Sequence, residues 1–224
     1  MKLMKKALNY LQASMLKNKK LWCNHVLSEI KVLFPNAGCE LIYHNTYELL
    51  IAVVLSAQTT DVSVNKVTPL LFSKYPTVDK LAEASLEDVM SIIKPIGLYK
   101  NKSTNIINLS KKICQDFNMK VPDNFEDLTS LPGVGRKTAN VVLAEGFNIP
   151  RIAVDTHVER VSKRLDLVEN NKSVLEVELE LMDLIEQKDW HKGHHYLLFF
   201  GRYFCTAKKP RCNECFHKEC KYKI

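Results

Sequence analysis

The stretch 131-LPGVGRKTAN-140 decides how this chain is read. Pro132 and Gly133 end one helix-patterned segment, Gly135 stands just before the next, and two cations, Arg136 and Lys137, follow at once. Two of the chain's seven glycines fall in this one turn. Glycine permits positive φ and close approach of another backbone. Successive N–H groups in such a turn, backed by a helix N-terminus, make an anion site. Two readings stand here. In one, an ordinary helical hairpin carries two solvated cations; in the other, the turn grips a phosphate and one cation does chemistry.

Working outward, the pattern is helical almost throughout, and the predicted class is all-α with about ten helices. Asn45 and Glu48 are spaced as a capping box ahead of "TYELLIAVVLSAQ", whose centre, 49–57, is apolar nearly all round, as in a helix buried on several sides. Thr60, Ser85 and Asn124 stand as N-caps before further helices, and Ser173 with Glu176 forms a second capping box. "HKGHHYLLFFGRYF" is the last long helix. No alternating strand pattern and no Asn-Gly hairpin turn interrupts this series.

The 224 residues suffice for one large domain or two small ones, and the 46% hydrophobic content excludes a disordered chain. No apolar run approaches the ~18 residues of a membrane span, so no membrane partner is expected. The formal charge is +7, but residues 1–20 hold six lysines and no acid, leaving 26 basic against 25 acidic residues in the rest. Total charge is therefore weak evidence for a nucleic-acid partner. The lysine-rich start, 1–17, is read as a solvated basic extension, with an organelle transit segment or an upstream start before Met15 as alternatives. Cys23, Cys39 and Cys114 are scattered and read as small buried hydrophobes; the other four cysteines crowd the last twenty residues, which fits a reducing compartment.

Three constellations carry chemistry. Lys137 lies in the first turn of the helix after the glycine turn. A nucleophilic lysine must lose its proton, which the helix N-terminus, a neighbouring cation such as Arg136, or burial against apolar walls favours; the competing reading is a solvated lysine on a phosphate. Asp155 in "IAVDTHVERVSKRL" precedes a helix. It suits an N-cap, and equally a carboxylate that stabilises a developing cation. The tail places Cys205, Cys212, Cys215 and Cys220 as C-x6-C-x2-C-x4-C. Four thiolates so close imply tetrahedral zinc or an iron–sulfur cluster. Lys208, Lys209 and Arg211 lie between the first two cysteines with no acid, so a metal-pinned loop would present cations to phosphates. His217 is read as a solvated neighbour.

Several blocks then stand in one order: "LLIAVVLSAQTTDVSVNKVTPLLF", "IKPIGLYKNKSTNII", "LPGVGRKTANVVL", "IAVDTHVERV" and "GRYFCTAKKPRCNEC". With them, residues from about 18 to 224 resemble the endonuclease III family, bifunctional glycosylases and abasic-site lyases of the helix-hairpin-helix DNA glycosylase superfamily. The resemblance implies a six-helix lobe over 39–149, with the helix-hairpin-helix at about 126–146, and a second lobe from 18–38 plus 150–224. It implies that Lys137 is the nucleophile and Asp155 the essential carboxylate. Gln58 and Leu98 match residues that fill the gap left in the DNA stack, where the plainer readings are a polar helix end and a core leucine. Gly133, Gly135, Arg136, Lys208, Lys209 and Arg211 are expected to face phosphates. The resemblance implies that the four tail cysteines hold a [4Fe–4S] cluster, with zinc the second candidate.

The implied activity is base-excision repair on double-stranded DNA: removal of oxidised pyrimidines, then β-elimination at the abasic site through a lysine Schiff base. A monomer acting in the cytoplasm at the nucleoid is expected. One departure stands out, because the family's usual last cysteine interval is five residues and here "FHKE" is four. The rivals are a monofunctional glycosylase of the same superfamily, against which Lys137 and the short tail weigh, and a non-catalytic DNA-binding protein with a metal clip.

Overall fold

The structure is a computed structural model that describes residues 2–223, with side chains from residue 17 onward. The described residues form eleven α-helices and no strand: α1 (Lys2–Leu33), α2 (Thr46–Leu55), α3 (Asp61–Lys74), α4 (Val78–Ala82), α5 (Leu86–Ile93), α6 (Tyr99–Asp116), α7 (Phe125–Thr129), α8 (Arg136–Phe147), α9 (Thr156–Arg164), α10 (Val174–Leu184) and α11 (Trp190–Phe199). Short 3-10 turns at Gln187–Asp189 and Cys212–Glu214 and a π turn at Phe200–Phe204 complete the series. Among the described residues no helix is long and apolar enough to cross a membrane. The backbone of 2–16 belongs to α1, but the expectation that this extension is solvated concerns side chains outside the described residues.

Local chemistry sets most helix starts. Asn45, Thr60, Ser85, Asn124, Asp155 and Ser173 each accept a backbone N–H of the first turn. That contact replaces one of the four donors a helix start leaves open, and is worth about 1 kcal/mol. Ser173 and Glu176 complete a reciprocal box. The box expected at Asn45 does not close in that form. Glu48 Oε2 accepts instead from the His44 N–H and lies 2.8 Å from His44 Nδ1, so the imidazole draws the carboxylate one residue past the cap.

The chain divides into two compact units, Cys39–Ala153 and Met1–Gly38 with Val154–Ile224. The first contains α2–α8. Tyr47 through Leu55 are buried without a break, so α2 is its central post, as the all-round apolar pattern predicts. Buried positions on neighbouring helices, namely Val64 and Leu71 of α3, Ile106, Leu109 and Ile113 of α6, and Val142 and Leu143 of α8, complete the same core. Each fully buried Leu or Ile contributes roughly 1.5–3 kcal/mol, which is why the apolar spacing dominates the assembly. Cys39 and Cys114 are only half-buried at the edge of this core, less than expected, and burial pushes the Cys39 thiol up to about 12.

The second unit packs α1, α9, α10 and α11 with the C-terminal loop. Cys23 is fully buried there, its thiol pushed up to about 11 by burial. Trp22 Nε1 of α1 donates to the Leu165 carbonyl at 2.7 Å. The last long helix is not a single α-helix. Beyond Phe199 it widens into the π turn, and Cys205 N–H donates to the Phe200 carbonyl, five residues back. Gly201 lets this turn lie close against α9: a Cβ there would lie 2.9 Å from the His157 carbonyl oxygen. The Arg160 guanidinium then caps the turn, donating to the carbonyls of Gly201 at 2.7 Å and Cys205 at 3.3 Å.

Candidate functional site

In the first unit the glycine turn joins α7 to α8 as a hairpin. Leu128, Leu131 and Val134 anchor it in the core, and Val134 N–H donates to the Leu131 carbonyl at 3.1 Å. The two glycines do different work. Gly133 sits at φ +79°, and a Cβ there would meet the Asn105 side chain of α6 at 2.9–3.0 Å. Gly135 is the N-cap of α8 in an extended conformation (φ −94°, ψ 178°), so it does not use the positive φ expected of it. A Cβ at Gly135 would meet no atom within 4 Å, so its missing side chain leaves open space in front of the helix start.

Arg136 and Lys137 occupy the first turn of α8, and both are exposed. The Arg136 guanidinium lies over the Phe125 ring at 5.0 Å. Lys137 stands at the start of α8 next to Arg136 and is not buried against apolar walls. Gln58 and Leu98 are both exposed and both left-handed, with φ +53° and +60°. Leu98 is 55% exposed, which removes its reading as a core leucine. A non-glycine residue in that region costs about 1–2 kcal/mol, so each position holds strain that the surrounding turn supports.

In the second unit Asp155 caps α9. Its Oδ1 accepts from the His157 and Val158 N–H groups, both at 2.9 Å. Among the described residues Oδ2 has no hydrogen-bond partner, so capping engages one oxygen and leaves the other available. The half-buried carboxylate thus makes the N-cap expected of it, with its second oxygen outside that contact.

Cys205, Cys212, Cys215 and Cys220 line one cavity with Arg164, Phe200, Phe204 and His217, so the shortened interval Phe216–Glu219 still delivers Cys220 to the group. Burial raises the Cys215 thiol above its usual range, and the charges of Cys205, Cys220 and Cys212 raise it further, while the His217 N–H lowers it. Four soft sulfur donors around one cavity are a donor set that fits a thiolate-bound metal or cluster. Arg164 Nη1 reaches Cys205 Sγ at 3.5 Å and the Thr206 carbonyl at 3.0 Å, holding the loop onto α9.

Two expectations change in this loop. His217 is not solvated: its side chain is 11% exposed, lies 3.3 Å from Asp166 Oδ2 and packs on Trp22 at 5.2 Å between ring centroids. Arg211 is paired with Glu214 and stacked on Phe204 at 5.0 Å, because the fold returns an acid from just beyond Cys212. Lys208 and Lys209 are exposed. Arg160 and Arg164, which tie α9 to the loop, carried no signal in the sequence beyond their spacing of four on one helix.

An all-helical chain with a glycine hairpin, a lysine after it and a capped aspartate is the architecture of a base-excision repair protein. The profile of the HhH-GPD superfamily of base excision DNA repair proteins matches residues 51–187. Endonuclease III of Bacillus subtilis (strain 168) is 53% identical over 189 residues, covering 84% of this chain and 86% of that protein. Endonuclease III of Escherichia coli (strain K12) is 43% identical over 199 residues, covering 88% and 94%. Among solved structures, a non-covalent endonuclease III–DNA complex superposes with a TM-score of 0.88 at 49% identity, covering 90% of this chain and 95% of that one. A trapped endonuclease III–DNA covalent intermediate gives 0.87 with the same identity and coverage. The chain belongs to the HhH-GPD superfamily and, within it, to the endonuclease III family.

Proposed function

We propose that this chain is a DNA glycosylase and abasic-site lyase of base-excision repair that removes oxidised pyrimidines from double-stranded DNA. The observation that carries the reading is Lys137, an exposed amine in the first turn of α8, directly behind the open backbone of Gly135. The N–H groups of the Gly133–Gly135 turn and the start of α8 hold a phosphate without reading bases, so the hairpin sets register. A damaged pyrimidine leaves the stack at lower cost than a sound one, and Gln58 and Leu98 fill the space it vacates.

The Lys137 amine attacks C1′ as the N-glycosidic bond breaks, and the base departs with its electron pair and takes a proton. The free Oδ2 of Asp155 stabilises the positive charge that develops on the sugar. Ring opening yields the protonated Schiff base. Loss of a C2′ proton then breaks the C3′–O bond, cutting the strand on the 3′ side. Cys205, Cys212, Cys215 and Cys220 are the ligand set of a [4Fe–4S] cluster, with zinc as the rival occupant. Holding such a group, the four cysteines would cross-link the loop so that Lys208 and Lys209 could face phosphates; Arg211, held by Glu214, would contribute there only once that pair opens. Anaerobically purified protein without iron, sulfide and absorbance near ~400 nm would exclude the cluster and leave the rest of the mechanism untouched.

Borohydride trapping tests the enzyme reading. Wild-type protein incubated with duplex DNA carrying one abasic site forms a reduced covalent complex, and Lys137→Ala, folded to the same melting temperature, forms none. Wild-type protein that binds this DNA but is never trapped would reduce the hairpin to a phosphate clamp.

A further inference from the structure

Lys102 is the buried cation that the mechanism does not use. It lies one turn into α6, 4% exposed, with its backbone N–H donating to the Leu98 carbonyl at 3.0 Å. Its ammonium donates to Thr59 Oγ1 at 2.6 Å, and among the described residues no carboxylate pairs with it. Burying a charge on these terms is costly, and desolvation lowers its pKa. A leucine or methionine of similar length would fill the same space at lower cost. Lys102 therefore needs an explanation beyond packing.

Its two ends supply one. Thr59 follows Gln58, and the Thr59 N–H donates to the Ser56 carbonyl at 3.0 Å, closing the turn that ends α2. Leu98 begins the turn that opens α6. Gln58 and Leu98 are thus the left-handed, exposed residues on either side of a single ammonium–hydroxyl bond spanning 43 residues of chain. Each turn is strained, and a strained turn persists only where its surroundings hold it. Within the described residues, Lys102 to Thr59 is the side-chain hydrogen bond that joins these two turns.

We propose that Lys102 is a positioning residue that locks the Gln58 and Leu98 turns in register as one wedge, so that both enter the DNA stack together. This rests on the reading of Gln58 and Leu98 as the gap-filling residues. It makes a specific demand: the Lys102–Thr59 bond matters where a stacked base must be extruded from a duplex, and not where no stack exists. Rigid support of this kind sets how precisely a site is held, and a misplacement of about 1 Å costs on the order of a hundredfold in rate.

The experiment compares Lys102→Met, Thr59→Val and the double variant with wild type. Two readouts are single-turnover removal of thymine glycol from a duplex and borohydride trapping on an abasic site in single-stranded DNA. Melting temperatures are recorded for all, and Gln58→Ala and Leu98→Ala run alongside. The expected result is a drop of tenfold or more in the duplex rate for Lys102→Met, with single-strand trapping within twofold of wild type. The double variant should be no slower than the worse single one, because both lose the same bond. Equal losses on both substrates would make Lys102 a stability residue and overturn the proposal, as would a duplex rate that does not fall. If Gln58→Ala and Leu98→Ala also leave the duplex rate unchanged, the gap-filling reading fails. If they slow it and Lys102→Met does not, the positioning role alone fails.

Discussion

The two hairpin glycines separate stability from binding, and Gly133→Ala with Gly135→Ala is the sharpest test of the site. At Gly133 an alanine must take φ +79°, which costs about 1–2 kcal/mol, and its methyl must displace Asn105, whose Cβ and Cγ lie 3.0 Å away. Overpacking of that kind costs about 1–3 kcal/mol. Together these remove roughly 2–5 kcal/mol from a total that is ~5–15 kcal/mol for a typical domain. For a chain of this length that lowers the melting temperature by about 4–20 °C. At Gly135 the backbone is extended and the space open, so alanine changes stability by under ~1 kcal/mol. On the proposed reading its methyl would stand where a phosphate approaches, so affinity should fall about tenfold, or ~1.4 kcal/mol. The assays are thermal unfolding and titration of a duplex bearing a stable abasic analogue at one fixed salt concentration. A Gly135→Ala protein that melts as low as Gly133→Ala, or that binds DNA as wild type does, would refute this division of labour.

Two further outcomes follow from the same geometry. Asp155→Asn keeps an equally good cap and should change stability by under ~0.5 kcal/mol, whereas Asp155→Ala costs about 1 kcal/mol; both should lower the glycosylase rate by a hundredfold or more, read by single-turnover kinetics beside thermal melts. Asp88 is held below the usual carboxylate range first by the Lys74 ammonium and then by the Tyr75 hydroxyl. A depressed folded-state pKa adds stability that is fully present above the unfolded value of about 4 and is lost as pH falls through the folded value. Urea midpoints for wild type and Asp88→Asn should therefore differ by a constant amount from about pH 5 to 7 and draw together as pH falls below about 4; a gap that does not shrink at all on acidification would show that the carboxylate's charge is not its source.

Much of the site was legible because its signals are local. The Asp155 cap, the first-turn position of Lys137 and the cysteine spacing are set by residues a few positions apart, and each lies where its spacing placed it. The all-α class followed from periodicity and caps for the same reason. What spacing could not show was exposure. Leu98 reads as core by composition yet stands in solvent, and His217 reads as surface yet is covered by Trp22, almost two hundred residues away in sequence.

The sequence by itself determined where helices begin, that glycine and lysine share one turn, and that four thiols crowd one loop, because hydrogen bonds and chain geometry within a turn settle these. Only the tertiary structure showed that a side chain at Gly133 would be crowded, since the obstructing Asn105 comes from another helix. It also set Lys102 against Thr59, 43 residues apart in the chain. A charged or polar side chain bonds to whichever partner the packed core brings within about 3 Å. For Lys102 and Thr59 that meeting depends on the packing of whole helices and not on their own neighbours in the chain.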